Sequence, residues 1–68
     1  MKEISEKLAT NLKKIRTEKD LTQSELAIKL NVDKSFISNI ENGKSNPTIA
    51  TVANIAKALG ISSEELIK

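Results

Sequence analysis

The side chains of this chain that could do chemistry are hydrogen-bonding and ionic rather than nucleophilic or metal-binding. Among its 68 residues there is no histidine, cysteine or tyrosine. There is also no glycine-rich phosphate loop, and no pair of carboxylates sits in an apolar setting. None of the usual catalytic constellations can be assembled, and no cofactor or metal site is expected. What the sequence offers instead is a polar cluster, Lys34, Ser35, Ser38 and Asn39. Its spacing puts these residues on the outward face of one short helix whose other face carries Ile37 and Ile40. Such a face suits contacts with a partner surface, not turnover.

The elements that must position this face follow from local signals. Ile4, Leu8, Leu12 and Ile15 recur at intervals of four, four and three, which predicts one apolar stripe on a first helix running to about Lys19. Thr22 and Glu25 have the spacing of a capping box, and Leu21 can staple onto Leu26. A second helix starts there and buries Leu26, Ala27 and Leu30. Asn31 tolerates the left-handed backbone that commonly ends a helix. Val32 and Asp33 repeat the start signal, with Asp33 as cap and Val32 stapled to Ile37, so a third helix begins only three residues after Leu30.

Asn42-Gly43-Lys44-Ser45-Asn46-Pro47 is a polar, breaker-rich run and reads as a loop. Thr48 then caps a fourth helix with Val52, Ile55, Ala56 and Leu59 on its apolar face and Gly60 at its end. Ser62 with Glu65 makes another capping box, and Ile61 with Leu66 another staple, for a short fifth helix. No strand-like alternation, repeat or interdomain linker is present, so the expectation is one all-α domain over residues 1–68.

Composition narrows the class without deciding it. A chain this small, without disulfides or thiolate metal sites, must be held by helix packing, helped by a partner subunit. Its apolar stretches are too short to span a bilayer and its charged start lacks the core of a signal peptide, so a soluble cytoplasmic protein is expected. The formal charge of +2 is too small to announce a nucleic-acid binder. Its distribution is more informative: Lys13, Lys14, Arg16, Lys29, Lys34 and Lys44 precede the acidic Glu64 and Glu65, which suggests a mildly polarised surface.

Two helices joined by three residues cross steeply and need a small residue where they approach, a role Ala27 fits. At this point the residues resemble the Cro/C1-type (XRE-like) helix-turn-helix regulators, a family that includes phage repressors and restriction-modification controller proteins. The resemblance is carried by Leu21-Thr22-Gln23-Ser24-Glu25-Leu26-Ala27, by Ile37-Ser38-Asn39-Ile40-Glu41-Asn42-Gly43-Lys44, by Pro47, and by Ile55-Ala56-Lys57-Ala58-Leu59-Gly60. Each piece is weak, but their order and spacing together are specific and span nearly the whole chain. The family implies a compact five-helix, lambda-repressor-like domain that binds double-stranded DNA as a two-fold homodimer on a palindromic site.

By that resemblance the segment from Gln23 to Asn42 is the DNA-reading unit and its second helix enters the major groove. Lys34, Ser35 and Asn39 would then face base edges: lysine suits guanine acceptors, asparagine can pair with adenine, and serine can donate or accept. Ser38 shares their face. Phe36 either touches a thymine methyl from the edge or packs in the core, the commoner fate. Gln23 matches a phosphate-clamping position at a helix N-terminus; Asn42, Lys44 and Ser45 are candidates for the same work or are simple loop chemistry. Arg16 and Glu41 match an ion pair linking the first helix to the end of the third, a structural role. Two positions depart from the pattern. Asn31 stands where glycine is common, and Asp33 puts a carboxylate at the mouth of the recognition helix.

Dimerisation is expected because one small domain makes few base contacts. Ile49, Ile61, Leu66 and Ile67 offer apolar surface near the C-terminus, although for Ile61 and Leu66 finishing the core is the favoured reading. The rival to a stand-alone DNA reader is a protein-interaction module of the antitoxin kind, which shares the family's domain. No small-molecule pocket is evident.

Overall fold

The computed structural model describes the backbone of residues 2–68 and the side chains from Ile4 onward. Among these residues there are five helices and no strand: α1 (Lys2–Glu18), α2 (Gln23–Leu30), α3 (Lys34–Glu41), α4 (Ile49–Leu59) and α5 (Ser63–Ile67).

The helix starts follow from hydrogen bonding within a few residues. Thr22 Oγ1 accepts from the Glu25 amide at 3.0 Å while the Glu25 carboxylate accepts from the Thr22 amide at 2.8 Å, closing the capping box that opens α2. Thr48 Oγ1 accepts from the Thr51 amide at 3.2 Å and opens α4. At α5 the Glu65 carboxylate reaches back to the Ser62 amide at 3.3 Å. Asp33 is a correction. It occupies the N-cap position of α3, but its side chain makes no capping bond. The Phe36 amide that could have used it donates to the Asp33 carbonyl at 3.0 Å instead.

The first four helices all end in the same way. Asp20, Asn31, Gly43 and Gly60 have φ of 57°, 59°, 71° and 72°. Beyond each, an amide bonds a carbonyl five residues back: Leu21 to Arg16, Val32 to Ala27, Lys44 to Asn39 and Ile61 to Ala56. This is the Schellman closure, which satisfies carbonyls orphaned at the helix end. Gly43, read from sequence only as part of a loop, is therefore the residue that stops α3. Leu21, Val32 and Ile61 each close one helix and precede the cap of the next, and all three pack against the core. One apolar residue per connection thus fixes both flanking helices, which is how connections this short hold steep crossings.

The core joins Leu8 and Leu12 of α1, Leu26 and Ala27 of α2, Ile37 and Ile40 of α3, four α4 residues (Val52, Ile55, Ala56 and Leu59) and Leu66 of α5. The α2–α3 pair is held from two sides, α1 packing on α3 and α4 packing on α2. Leu30 is half-buried. Ile4 departs from the expected stripe and is 45% exposed. It lies instead beside Pro47, Ile49, Val52 and Ile67 around an open groove of about 480 Å³. Leu66 is fully buried and Ile61 half-buried, whereas Ile49 is 89% exposed. Two polar contacts close the far end. The Ser5 hydroxyl donates to Asn46 Oδ1 at 3.0 Å, and Asn11 Nδ2 donates to the Leu66 carbonyl at 2.9 Å. No buried side-chain polar atom among the described residues lacks a partner.

Candidate nucleic-acid interface

The connection between α2 and α3 is Asn31-Val32-Asp33, and Asn31 takes the left-handed conformation with φ 59° and ψ 45°. Asparagine occupies that region more readily than most residues because its short amide can bond locally. The turn lets Ala27, only 3% exposed, sit among the core residues while α3 begins at once in a new direction.

On α3 the inward residues Ile37 and Ile40 are almost completely buried. Lys34, Ser35 and Asn39 are exposed and Ser38 is half-buried. At 3.6 residues per turn, Ser35, Ser38, Asn39 and Asn42 fall within an arc of roughly 100°, with Lys34 at one border. Asn42, just past the helix, donates from Nδ2 to Ser38 Oγ at 3.4 Å. Lys44 is exposed and Ser45 half-buried in the loop that follows. Phe36 lies beyond the opposite border. Half-buried, it packs against the core and lines a small crevice with Leu30, Val32, Thr51, Asn54 and Ile55.

The end of α3 is fixed by an ionic network. Arg16 Nε donates to Glu41 Oε2 at 2.6 Å and Nη2 donates to Oε1 at 3.1 Å, a two-pronged pairing. Arg16 Nη1 donates to the Leu21 carbonyl. Gln23 Nε2 adds a third bond to the carboxylate, reaching Oε1 at 3.0 Å. The side chains of Arg16 and Glu41 are 10% and 2% exposed, so these bonds work in a low-dielectric setting where an unmet charge is costly. The network joins α1, the α1–α2 link, the first residue of α2 and the last of α3. The Gln23 and Leu21 contacts were not foreseen from sequence. Gln23 and Glu41 are 18 residues apart, a pairing that no local spacing encodes.

Gln23 at the start of α2, Asn42 and Lys44 are thus brought to the C-terminal end of α3, next to its exposed face, and Ser45 follows in the loop. The arrangement is a helix presenting hydrogen-bond donors and acceptors, with further polar groups gathered at its C-terminal end. Among the described residues no group of histidine, cysteine or carboxylate side chains could hold a metal ion. No helix among them is long and apolar enough to cross a membrane.

Comparison with known proteins agrees with this geometry. Residues 12–66 match the helix-turn-helix family. The control protein C.MunI of a Mycoplasma species is 39% identical over 67 residues, covering 97% of this chain and 90% of that protein. The restriction-modification controller protein C.Esp1396I superposes with a TM-score of 0.83 at 41% identity, over 94% of this chain and 87% of that one. The controller C.AhdI from Aeromonas hydrophila superposes with a TM-score of 0.86 at 32% identity, over 91% of this chain and 94% of that one. With the turn, the exposed α3 face and these relatives in agreement, the chain belongs to the Cro/C1-type (XRE-like) helix-turn-helix family of DNA-binding transcriptional regulators.

Proposed function

We propose that this protein reads a palindromic operator as a homodimer, in the manner of a repressor or controller protein, and that it does so in the cytoplasm. The observation that carries this reading is the division of α3. Ile37 and Ile40 lock one side into the core, and Lys34, Ser35 and Asn39 stand free on the other. A helix held this rigidly can place side chains in a major groove without loss of alignment.

In this reading Lys34, Ser35 and Asn39 face base edges. Ser38 sits beside them, and Phe36 is at most an edge contact because much of its ring is committed to packing. Gln23, with the free amides at the start of α2, holds one phosphate; Asn42, Lys44 and Ser45 hold the neighbouring backbone. The groove bordered by Ile4, Pro47, Ile49, Val52 and Ile67 supports pairing of two copies, since such apolar area gains from being covered. The names of C.MunI, C.Esp1396I and C.AhdI support a controller role.

Selection of bound sites from random duplexes, repeated across salt concentrations, tests the reading. A two-fold consensus with a steep salt dependence is expected, and Asn39→Ala should relax preference at one symmetric pair of positions. Failure to retain any duplex at low salt overturns it.

A further inference from the structure

We infer that Glu41 is a positioning residue for DNA binding: clamped by Arg16, it holds the Gln23 carboxamide in the one orientation that leaves an N–H free for a backbone phosphate. This rests on the phosphate contact of Gln23 proposed above, and it assigns the buried ion pair a task besides holding helices together.

The argument begins with what each group can do. A carboxylate only accepts hydrogen bonds, so the Gln23 atom 3.0 Å from Glu41 Oε1 must be the amide nitrogen and the amide oxygen is turned away. That nitrogen carries two hydrogens. One is used by Glu41 and the second remains for an acceptor outside. A glutamine without such a partner presents its oxygen as readily as its nitrogen, and an amide oxygen facing a phosphate is repelled. Glu41 removes that alternative. It also restrains a side chain that would otherwise be immobilised only on binding.

Charge explains why the carboxylate needs Arg16. A bare carboxylate beside the DNA backbone would repel it. The two-pronged guanidinium, with bonds at 2.6 and 3.1 Å, offsets that charge while leaving Oε1 able to accept from Gln23. Arg16 is only 8% exposed and a further donor is taken by the Leu21 carbonyl. Its own hydrogen bonds thus point inward, and its effect on DNA passes through Glu41 and Gln23.

A double-mutant cycle on DNA affinity tests this, using a duplex selected by the wild-type protein. Per half-site of the proposed dimer, Gln23→Ala should weaken binding about tenfold in the native background, the loss of one hydrogen bond to a charged group in each subunit. In the Glu41→Gln background, where residue 41 can donate as well as accept, the same change should cost less than about threefold per half-site. Equal losses in both backgrounds overturn the positioning role while leaving the phosphate contact standing. No loss in the native background overturns the contact and the inference with it.

If Glu41→Gln does not fold, NMR of the wild-type side-chain amides decides. One Gln23 carboxamide proton should be protected from exchange in the free protein, and the other should shift on adding duplex. Two unprotected, freely exchanging protons in the free protein overturn the proposal. A purely structural Glu41 would alter unfolding without coupling to Gln23 in DNA affinity.

Discussion

Arg16→Ala removes the guanidinium and leaves Glu41, whose side chain is 2% exposed, with Gln23 as its remaining partner. Breaking a buried ion pair on one side costs about 3–5 kcal/mol, because a charge is left desolvated and unpaired. The Leu21 carbonyl also loses its donor. A domain of 68 residues has a total stability of roughly 3–10 kcal/mol, so this one change removes a large part of it. With a urea dependence of about 1 kcal/mol per molar for a chain this small, the unfolding midpoint should fall by about 3–5 M. Circular dichroism through a urea series reads it directly.

Two further variants separate the causes. Lys14→Ala, at an exposed position of α1, should leave the midpoint nearly unchanged and act only on salt-dependent DNA affinity. The double change Arg16→Met with Glu41→Leu should recover most of the loss, since apolar residues of similar volume carry no desolvation penalty. A midpoint for Arg16→Ala no lower than that of Lys14→Ala would refute the reasoning.

Asn31→Ala should cost about 1 kcal/mol and Asn31→Gly should be neutral or slightly stabilising, because the position is left-handed and alanine pays the steric penalty there; thermal melts of the two variants check the sign. Asp33→Ala should change stability by less than about 0.5 kcal/mol, below the usual cost of losing an N-cap side chain, because the Asp33 carboxylate makes no capping bond. Its DNA affinity, measured by titration at low salt, should rise, because in the proposed docking a carboxylate leaves the end of α3 that enters the negatively charged groove. Ile49→Glu, at a residue 89% exposed, should leave helix content intact and give a monomer in sedimentation equilibrium; a dimer that survives it moves the interface elsewhere.

Much of the fold was legible along the chain because helix ends are satisfied locally. An amide at a helix start finds its acceptor within three residues, and an orphaned carbonyl finds its donor within five. Thr22, Thr48, Asn31 and Gly60 therefore announce boundaries that coincide with those of α2 and α4. The local rule has limits. It marked Asp33 as a side-chain cap where the backbone carbonyl takes the bond, and it passed over Gly43 as a helix terminator because the polar run around it already read as loop.

The sequence by itself determined the helices, their order, the buried side of α3 and, through motif order, the family. Apolar periodicity and capping act over one or two turns, and both are written in neighbouring residues. Tertiary structure alone decided that Ile4 leaves the core for a surface groove, that Phe36 lines a crevice beside α4, and that Gln23 meets Glu41. Packing of distant segments sets these outcomes. Gln23 and Glu41 are 18 positions apart, and Asn11 and the Leu66 carbonyl are 55 apart. Such partners are fixed by how helices cross, a geometry that exists only once the core has closed.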